Sequence, residues 1–143
     1  PINKEEAIKY FKKSADKGDS DAMYSYATML YYGEGSPINK KEAIKYFKLS
    51  ADKGNSDEMC NYATMLYYGE GSSINKEKAF KYFKKSADKG NLDAMYKYAT
   101  MLYNGEGCPI NKEEAIKYFK KSADKGNSDA MYCYSTMIKN GDV

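Results

Sequence analysis

The sequence predicts an all-α solenoid of four helical hairpins, with eight antiparallel helices in series. Three observations carry this. The stretch Ala22-Met23-Tyr24-Ser25-Tyr26-Ala27-Thr28-Met29-Leu30-Tyr31-Tyr32-Gly33-Glu34-Gly35 returns in near copies that begin at Glu58, Ala94 and Ala130, 36 residues apart each time. Self-similarity at a period of about 20–50 residues marks stacked repeats in which each unit touches only its neighbours. Apolar residues recur at helical spacing between Asn or Asp caps and Gly stops. No segment alternates apolar and polar residues with period two, so no strand is predicted. The units run 1–36, 37–72, 73–108 and 109–143, one repeat domain over the whole chain.

The first helix of each hairpin opens on a capping Asn: Asn3, Asn39, Asn75 or Asn111. Its side-chain oxygen can take an orphan N–H of the first turn. Glu6, Glu42 and Glu114 stand three residues on, where a capping box reaches back, and Ile2 with Ala7 holds the positions of a weak hydrophobic staple. The third copy has Lys78 in place of that Glu and should start most weakly. Over 4–17 the inward candidates are Ala7, Ile8, Tyr10, Phe11, Ser14 and Ala15, with Lys9, Lys12, Lys13 and Asp16 opposite. Gly18 supplies a left-handed stop. Position 19 (Asp19, Asn55, Asn91, Asn127) caps the second helix, because position 20 includes Leu92, which cannot cap. That helix ends at Gly33, and Gly33-Glu34-Gly35 with Pro37 gives a tight link to the next Asn. The predicted helices are 4–17, 20–32, 40–53, 56–68, 76–89, 92–104, 112–125 and 128–140.

Composition narrows function. The net charge is +3, from 23 basic and 20 acidic residues, and there is no Arg. Neither a nucleic acid nor an acidic membrane is indicated, since guanine readout and planar phosphate grip favour Arg. The absence of His excludes Ser-His and Cys-His nucleophile pairs and imidazole metal sites within the chain. Cys60, Cys108 and Cys133 fit no zinc spacing. They read as free thiols rather than disulfide or metal ligands, which favours a reducing, cytoplasmic setting. No apolar run is long enough to span a membrane and no signal segment opens the chain. The chain opens mid-repeat at Pro1, so it reads as a piece of a longer array.

These residues resemble the Sel-one-like repeat, a relative of the tetratricopeptide repeat. The family pattern A-x-x-x-L-G-x-x-Y-x-x-G-x-G meets Ala22, Gly33 and Gly35. Its second half, K-A-x-x-W-Y-x-K-A-A-x-x-G, meets Ala43, Tyr46-Phe47, Ser50-Ala51 and Gly54. Tyr26-Ala27 replaces L-G, Leu30 replaces Tyr and Glu42 replaces Lys, an exchange of large and small residues that a core absorbs if volume is kept. The resemblance covers all four copies. It implies a right-handed superhelix with the A-x-x-x-L-G helix lining its inside and the other helix outside. The chain then holds three whole family units, flanked by an outer helix at its start and an inner helix at its end. Some cysteine-rich members of the family are described as hydrolases; their evenly spaced cysteines are absent here, so that activity is not carried over.

On the inner helix Ala22, Met23, Tyr26, Ala27, Met29 and Leu30 are assigned to the core, each large member worth roughly 1.5–3 kcal/mol on burial. All 8 Met fall at two positions of this helix and read as gap-fillers. The opposite arc is the candidate partner-binding face. It comprises Tyr24, Ser25, Thr28, Tyr31 and Tyr32, then Asn61, Thr64, Tyr67 and Tyr68 beside Cys60. It continues with Tyr96, Lys97, Thr100, Tyr103 and Asn104, and ends on Tyr132 with Cys133, Thr136, Lys139 and Asn140. Tyr gives large contact area with a polar tip, which suits peptides and proteins. The competing reading is that Tyr24 and its equivalents merely close the seam between hairpins. Position 25 varies most (Ser25, Asn61, Lys97, Cys133), as at an unconstrained solvent site or one tuned to a ligand. The Lys-rich outer helices read as a solvated face. Leu49, where other copies have Lys, and Glu58, where they have Ala, are local exceptions.

No catalytic residue, cofactor site or metal site is predicted. The expected function is a non-enzymatic scaffold that binds a peptide or protein partner on the concave face. The alternative is an architectural or self-associating rod, because both terminal helices present apolar surface for head-to-tail stacking.

Overall fold

Each helix begins where a side chain completes its first turn. Asn3, Asn39, Asn75 and Asn111 accept the N–H three residues on at 3.0, 3.0, 3.0 and 3.1 Å. The cap at Asn75 therefore has the same geometry as the others, although Lys78 replaces Glu. Asp19, Asn91 and Asn127 likewise take the N–H of Ala22, Ala94 and Ala130 at 3.0, 2.8 and 2.8 Å, and Asn55 takes those of Asp57 and Glu58. The computed structural model describes residues 3–143, so the staple at Ile2 lies outside the described residues. Among them the helices are α1 (Lys4–Asp16), α2 (Ser20–Tyr32), α3 (Lys40–Asp52), α4 (Ser56–Tyr68), α5 (Lys76–Asp88), α6 (Leu92–Asn104), α7 (Lys112–Asp124) and α8 (Ser128–Lys139), with no strand.

Four helices end one residue earlier than the sequence suggested, as does α8. At Lys17 the N–H already turns to Ser14 O, and the next two N–H groups close on Ala15 and Ser14, so the chain leaves the helix before Gly18. The reciprocal arm of the capping box also differs. Glu6 and Glu114 accept from the side-chain amides of Asn3 and Asn111 at 3.2 and 3.4 Å. Glu42 instead receives the Tyr26 hydroxyl at 3.2 Å.

The chain forms two compact units, residues 1–74 and 75–143. In the first, α1 packs on α2, α2 on α3 and α3 on α4. Ala27, Ala43, Ala51 and Ala63 are wholly buried, and these small side chains leave room for the large ones beside them. The Tyr26 ring stands edge-on to Tyr46 at 4.7 Å. Tyr46 donates to Asp16 at 2.7 Å and Ser50 to the Ser20 carbonyl at 3.2 Å, so the polar tips buried by stacking are paired. Not every core assignment holds. Met29 is only half-buried, and Tyr10 and Phe11 are exposed, because no helix of this unit packs on that side of α1.

In the second unit α5 packs on α6, α6 on α7 and α7 on α8. Tyr98 lies between Phe80 and Tyr118 at 4.9 and 4.7 Å. Tyr118 donates to Asp88 at 3.0 Å and Ser122 to the Leu92 carbonyl at 3.0 Å. Gly107 closes the α5–α6 hairpin: at φ 68° it lies against the first turn of α5, where a methyl group would overlap the Lys76 carbonyl. Lys76 then bridges Glu106 at 3.0 Å. In the first unit Gly35 and Lys4–Glu34 repeat the arrangement. The Gly-Glu-Gly loop thus locks each of the first three hairpins at its open end.

Candidate functional site

Each unit carries a cleft on the tyrosine face of its second-type helices. In the first unit, α2 presents Tyr24, Thr28, Tyr31 and Tyr32, and α4 presents Asn61 and Thr64. The space between them is about 200 Å³. Phe47 of α3 and Met65 of α4 floor it, and Glu70 of the following loop closes one side. Ser25, Tyr67 and Tyr68 do not line it. Tyr68 is exposed and stacks edge-on to Tyr67 at 4.9 Å, as Tyr32 does to Tyr31.

Tyr31 is the most fixed member. Its hydroxyl donates to Glu70 Oε2 at 2.6 Å, and Lys40 Nζ sits 4.8 Å from its ring centroid. That hydrogen bond, followed by burial and the Glu70 charge, pushes the phenol up to about 12. Lys40 comes from α3, Tyr31 from α2 and Glu70 from beyond α4, so the trio ties two hairpins together. Tyr24 is half-buried with its ring edge-on to Phe47 at 5.8 Å, and it also lines the cleft. Thr28 differs from its counterparts. Thr64, Thr100 and Thr136 donate to the carbonyl four residues back at 2.8, 2.9 and 2.9 Å, whereas the Thr28 hydroxyl is buried without a partner.

The second unit repeats the pattern with different chemistry. Tyr96, Thr100, Tyr103 and Asn104 of α6 face Tyr132, Cys133 and Thr136 of α8 and its C-cap Asn140 across about 260 Å³. Phe119 and Met137 floor the cleft and Asp142 stands where Glu70 does in the first. Lys112 lies 5.0 Å from the Tyr103 ring centroid, the counterpart of Lys40 on Tyr31. Burial and the neighbouring Cys133 raise the Tyr96 phenol. Lys97 does not line this cleft, and Tyr132 is exposed.

Sequence reasoning therefore found most of the walls and missed the floors. Phe47 and Phe119 are copies of the inward candidate Phe11, and Met65 and Met137 read as gap-fillers; all four are buried yet face the clefts. Glu70 and Asp142 were missed because they sit in links. Their signal was the acid held at one register after each inner helix: Glu34, Glu70, Glu106 and Asp142. The clefts offer aromatic rings, hydroxyls, amides and one carboxylate each.

A model of the Sel1 repeat matches residues 1–19, 20–55, 59–91 and 92–127. The chain belongs to the Sel1 repeat family. The match at 1–19 holds α1 alone and those at 20–55 and 92–127 each run from an inner-type to an outer-type helix, as three Sel1 units with flanking helices require. Solved structures share the fold. A protective antigen of uropathogenic Escherichia coli with an SLR fold superposes with a TM-score of 0.92 at 24% identity, over 98% of this chain and 30% of its own. A Sel1 repeat protein from Oxalobacter formigenes gives 0.90 at 21% identity, over 94% of this chain and 56% of its own. Helicobacter pylori cysteine rich protein B gives 0.67 at 21% identity, over 90% and 92% of the two chains. This chain thus spans well under two thirds of the first two. No curated protein sequence matches it. The shared fold is all-α and solenoid-like, and Sel1 repeat proteins generally serve as protein–protein interaction scaffolds. No helix among the described residues is long and apolar enough to cross a membrane.

Proposed function

We propose that this Sel1 repeat chain is a non-enzymatic scaffold that holds a peptide or protein partner against the tyrosine faces of its inner-type helices, with one docking point in each unit. The observation that carries the reading is the held Tyr31 ring beside the exposed Tyr32 in a cleft with an apolar floor. A ring already fixed by neighbours loses little freedom when a partner arrives, so more of the contact energy appears as affinity. The volumes, about 200 and 260 Å³, lie below the roughly 300–1,000 Å³ usual for whole small-molecule sites. They suit one or two side chains of a polypeptide. The exposed Asn61 supplies hydrogen bonding for a backbone laid across the first cleft.

The test is selection of a displayed random-peptide library on the intact chain. Selected peptides should bind a Tyr32→Ala, Tyr68→Ala, Tyr103→Ala variant at least about fivefold more weakly, since truncating an aromatic anchor costs over roughly 1 kcal/mol. Circular dichroism should show unchanged helix content. Unchanged affinity rejects the tyrosine faces as the binding site.

A further inference from the structure

The Gly-Glu-Gly links hold a glutamate at one register: Glu34, Glu70 and Glu106. Two of the three are bound by a lysine 30 residues earlier. Lys4 bridges Glu34 and Lys76 bridges Glu106, each at 3.0 Å. Lys40 holds the same place before Glu70, yet it does not bridge it. Its ammonium leans over the Tyr31 ring instead, 4.8 Å from the centroid, while Glu70 Oε2 accepts from the Tyr31 hydroxyl at 2.6 Å. Among the described residues Glu70 therefore keeps its charge without a bound cation, and it borders the first cleft.

The rest of the cleft has the same polarity. The chain has 23 lysines, and none lines this cleft; Glu70 is the one charged residue on its walls. Two edge-on ring pairs stand beside that carboxylate, Tyr24 with Phe47 at 5.8 Å and Tyr32 with Tyr31 at 4.9 Å. The face of an aromatic ring is its negative side and attracts a cation within about 6 Å of the centroid. Rings and a carboxylate together favour a positive group over an anionic or neutral one.

Resting on the reading that this cleft docks a polypeptide, we propose that its occupant is an arginine side chain of the partner. A guanidinium lies flat against a ring and still points N–H groups in its own plane at a carboxylate. An ammonium is a compact, strongly hydrated point charge and does the two less well together. Tyr31 already faces Lys40, so Tyr24, Tyr32 and Phe47 are the rings that receive the guanidinium. Glu70 Oε1 accepts one N–H, and the exposed Asn61 offers a carbonyl oxygen for another. The space of about 200 Å³ takes one such side chain.

The test is a nuclear magnetic resonance titration of the whole chain with three probes: N-acetyl-arginine amide, N-acetyl-lysine amide and N-acetyl-citrulline amide, which has the shape of the first without its charge. The arginine probe should shift the backbone amides of Asn61, Gly69 and Glu70 saturably, with a dissociation constant of the order of a millimolar. Citrulline should bind at least about fivefold more weakly, and lysine more weakly than arginine. Glu70→Gln, which still accepts from Tyr31, should weaken the arginine probe about five- to tenfold with helix content unchanged. The citrulline comparison reads the same charge without any substitution. Citrulline or lysine as tight as arginine, shifts confined to residues outside the cleft, or no effect of Glu70→Gln would each overturn the proposal. Peptides from the library separate it from the scaffold reading. If they lose affinity on the triple tyrosine variant but carry no excess of Arg, and the arginine probe does not bind, the clefts dock polypeptides and the arginine occupant alone is rejected. If no peptide is selected and no probe binds, both are rejected.

Discussion

Replacing Tyr31 with Phe removes one hydroxyl and keeps the ring. The edge-on contact with Tyr32 and the Lys40 ammonium over the face both survive, so the variant isolates the bond to Glu70. A hydrogen bond to a charged group is worth about 1.5–3 kcal/mol when buried. Tyr31 and Glu70 are each partly exposed, so solvent screening brings the expected loss to about 1 kcal/mol. For a chain of this size that is a melting-temperature drop of roughly 2–4 °C at neutral pH. The pH dependence is more specific. In the folded protein the phenol holds its proton up to about 12, above its ordinary value of 10.0. A raised folded-state value means the stabilisation is whole below about pH 10 and disappears as pH rises through about 12. The gap between parent and variant should therefore be constant from pH 7 to about 9 and shrink sharply by about pH 11.5. Thermal melts followed by circular dichroism at both ends of that range measure it. A gap that persists unchanged at the alkaline end, or a variant that melts at or above the parent at pH 8, would refute the account of Tyr31 as a ring anchored by Glu70.

Two further predictions concern the scaffold. Gly90→Ala and Gly107→Ala both force a side chain onto a positive φ, but only at Gly107 does the methyl group meet the Lys76 carbonyl. The first should cost about 1–2 kcal/mol and the second about 2–5 kcal/mol once backbone displacement is added, a difference that denaturant midpoints resolve; equal losses would mean the hairpin does not close there. Glu58 is buried where the other repeats have Ala, and burial raises its carboxyl, helped by the charges of Asp21 and Asp57 and opposed by the Ser50 hydroxyl. Its ionised form therefore weakens the fold at neutral pH. Glu58→Gln should melt higher than the parent at pH 7, and the advantage should fade as pH drops below the ordinary carboxyl range; a variant that melts lower at pH 7 would show the charge to be favourable.

The helices were legible because their signals are local. A cap and the amide it binds lie three residues apart, and a stop glycine acts on its own turn, so one repeat contains the whole instruction. What escaped was anything that spans hairpins. Tyr46 reaches Asp16, Tyr118 reaches Asp88 and Ser122 reaches Leu92, all at a separation of 30 residues, and Tyr31 reaches Glu70 at 39. Such offsets follow from how one hairpin leans on the next, and helical periodicity carries no record of that.

Phe11 and Phe119 make the limit sharpest. Their local sequences are the same, yet one is exposed and the other buried, because only Phe119 has a neighbouring helix against it. In a repeat protein the motif specifies the hairpin, and the neighbour decides which of its side chains meet solvent. Residues that repeat faithfully, such as Ala51 and Ala87, are therefore explained by stacking, which every copy must do. Distinctions between copies have to be sought where the repeat breaks. The cleft walls are such a place: Tyr32 gives way to Asn104, Glu70 to Asp142, and Asn61 to Cys133. Stacking alone gives no reason for those changes. Two clefts that share a frame thus differ at the rim.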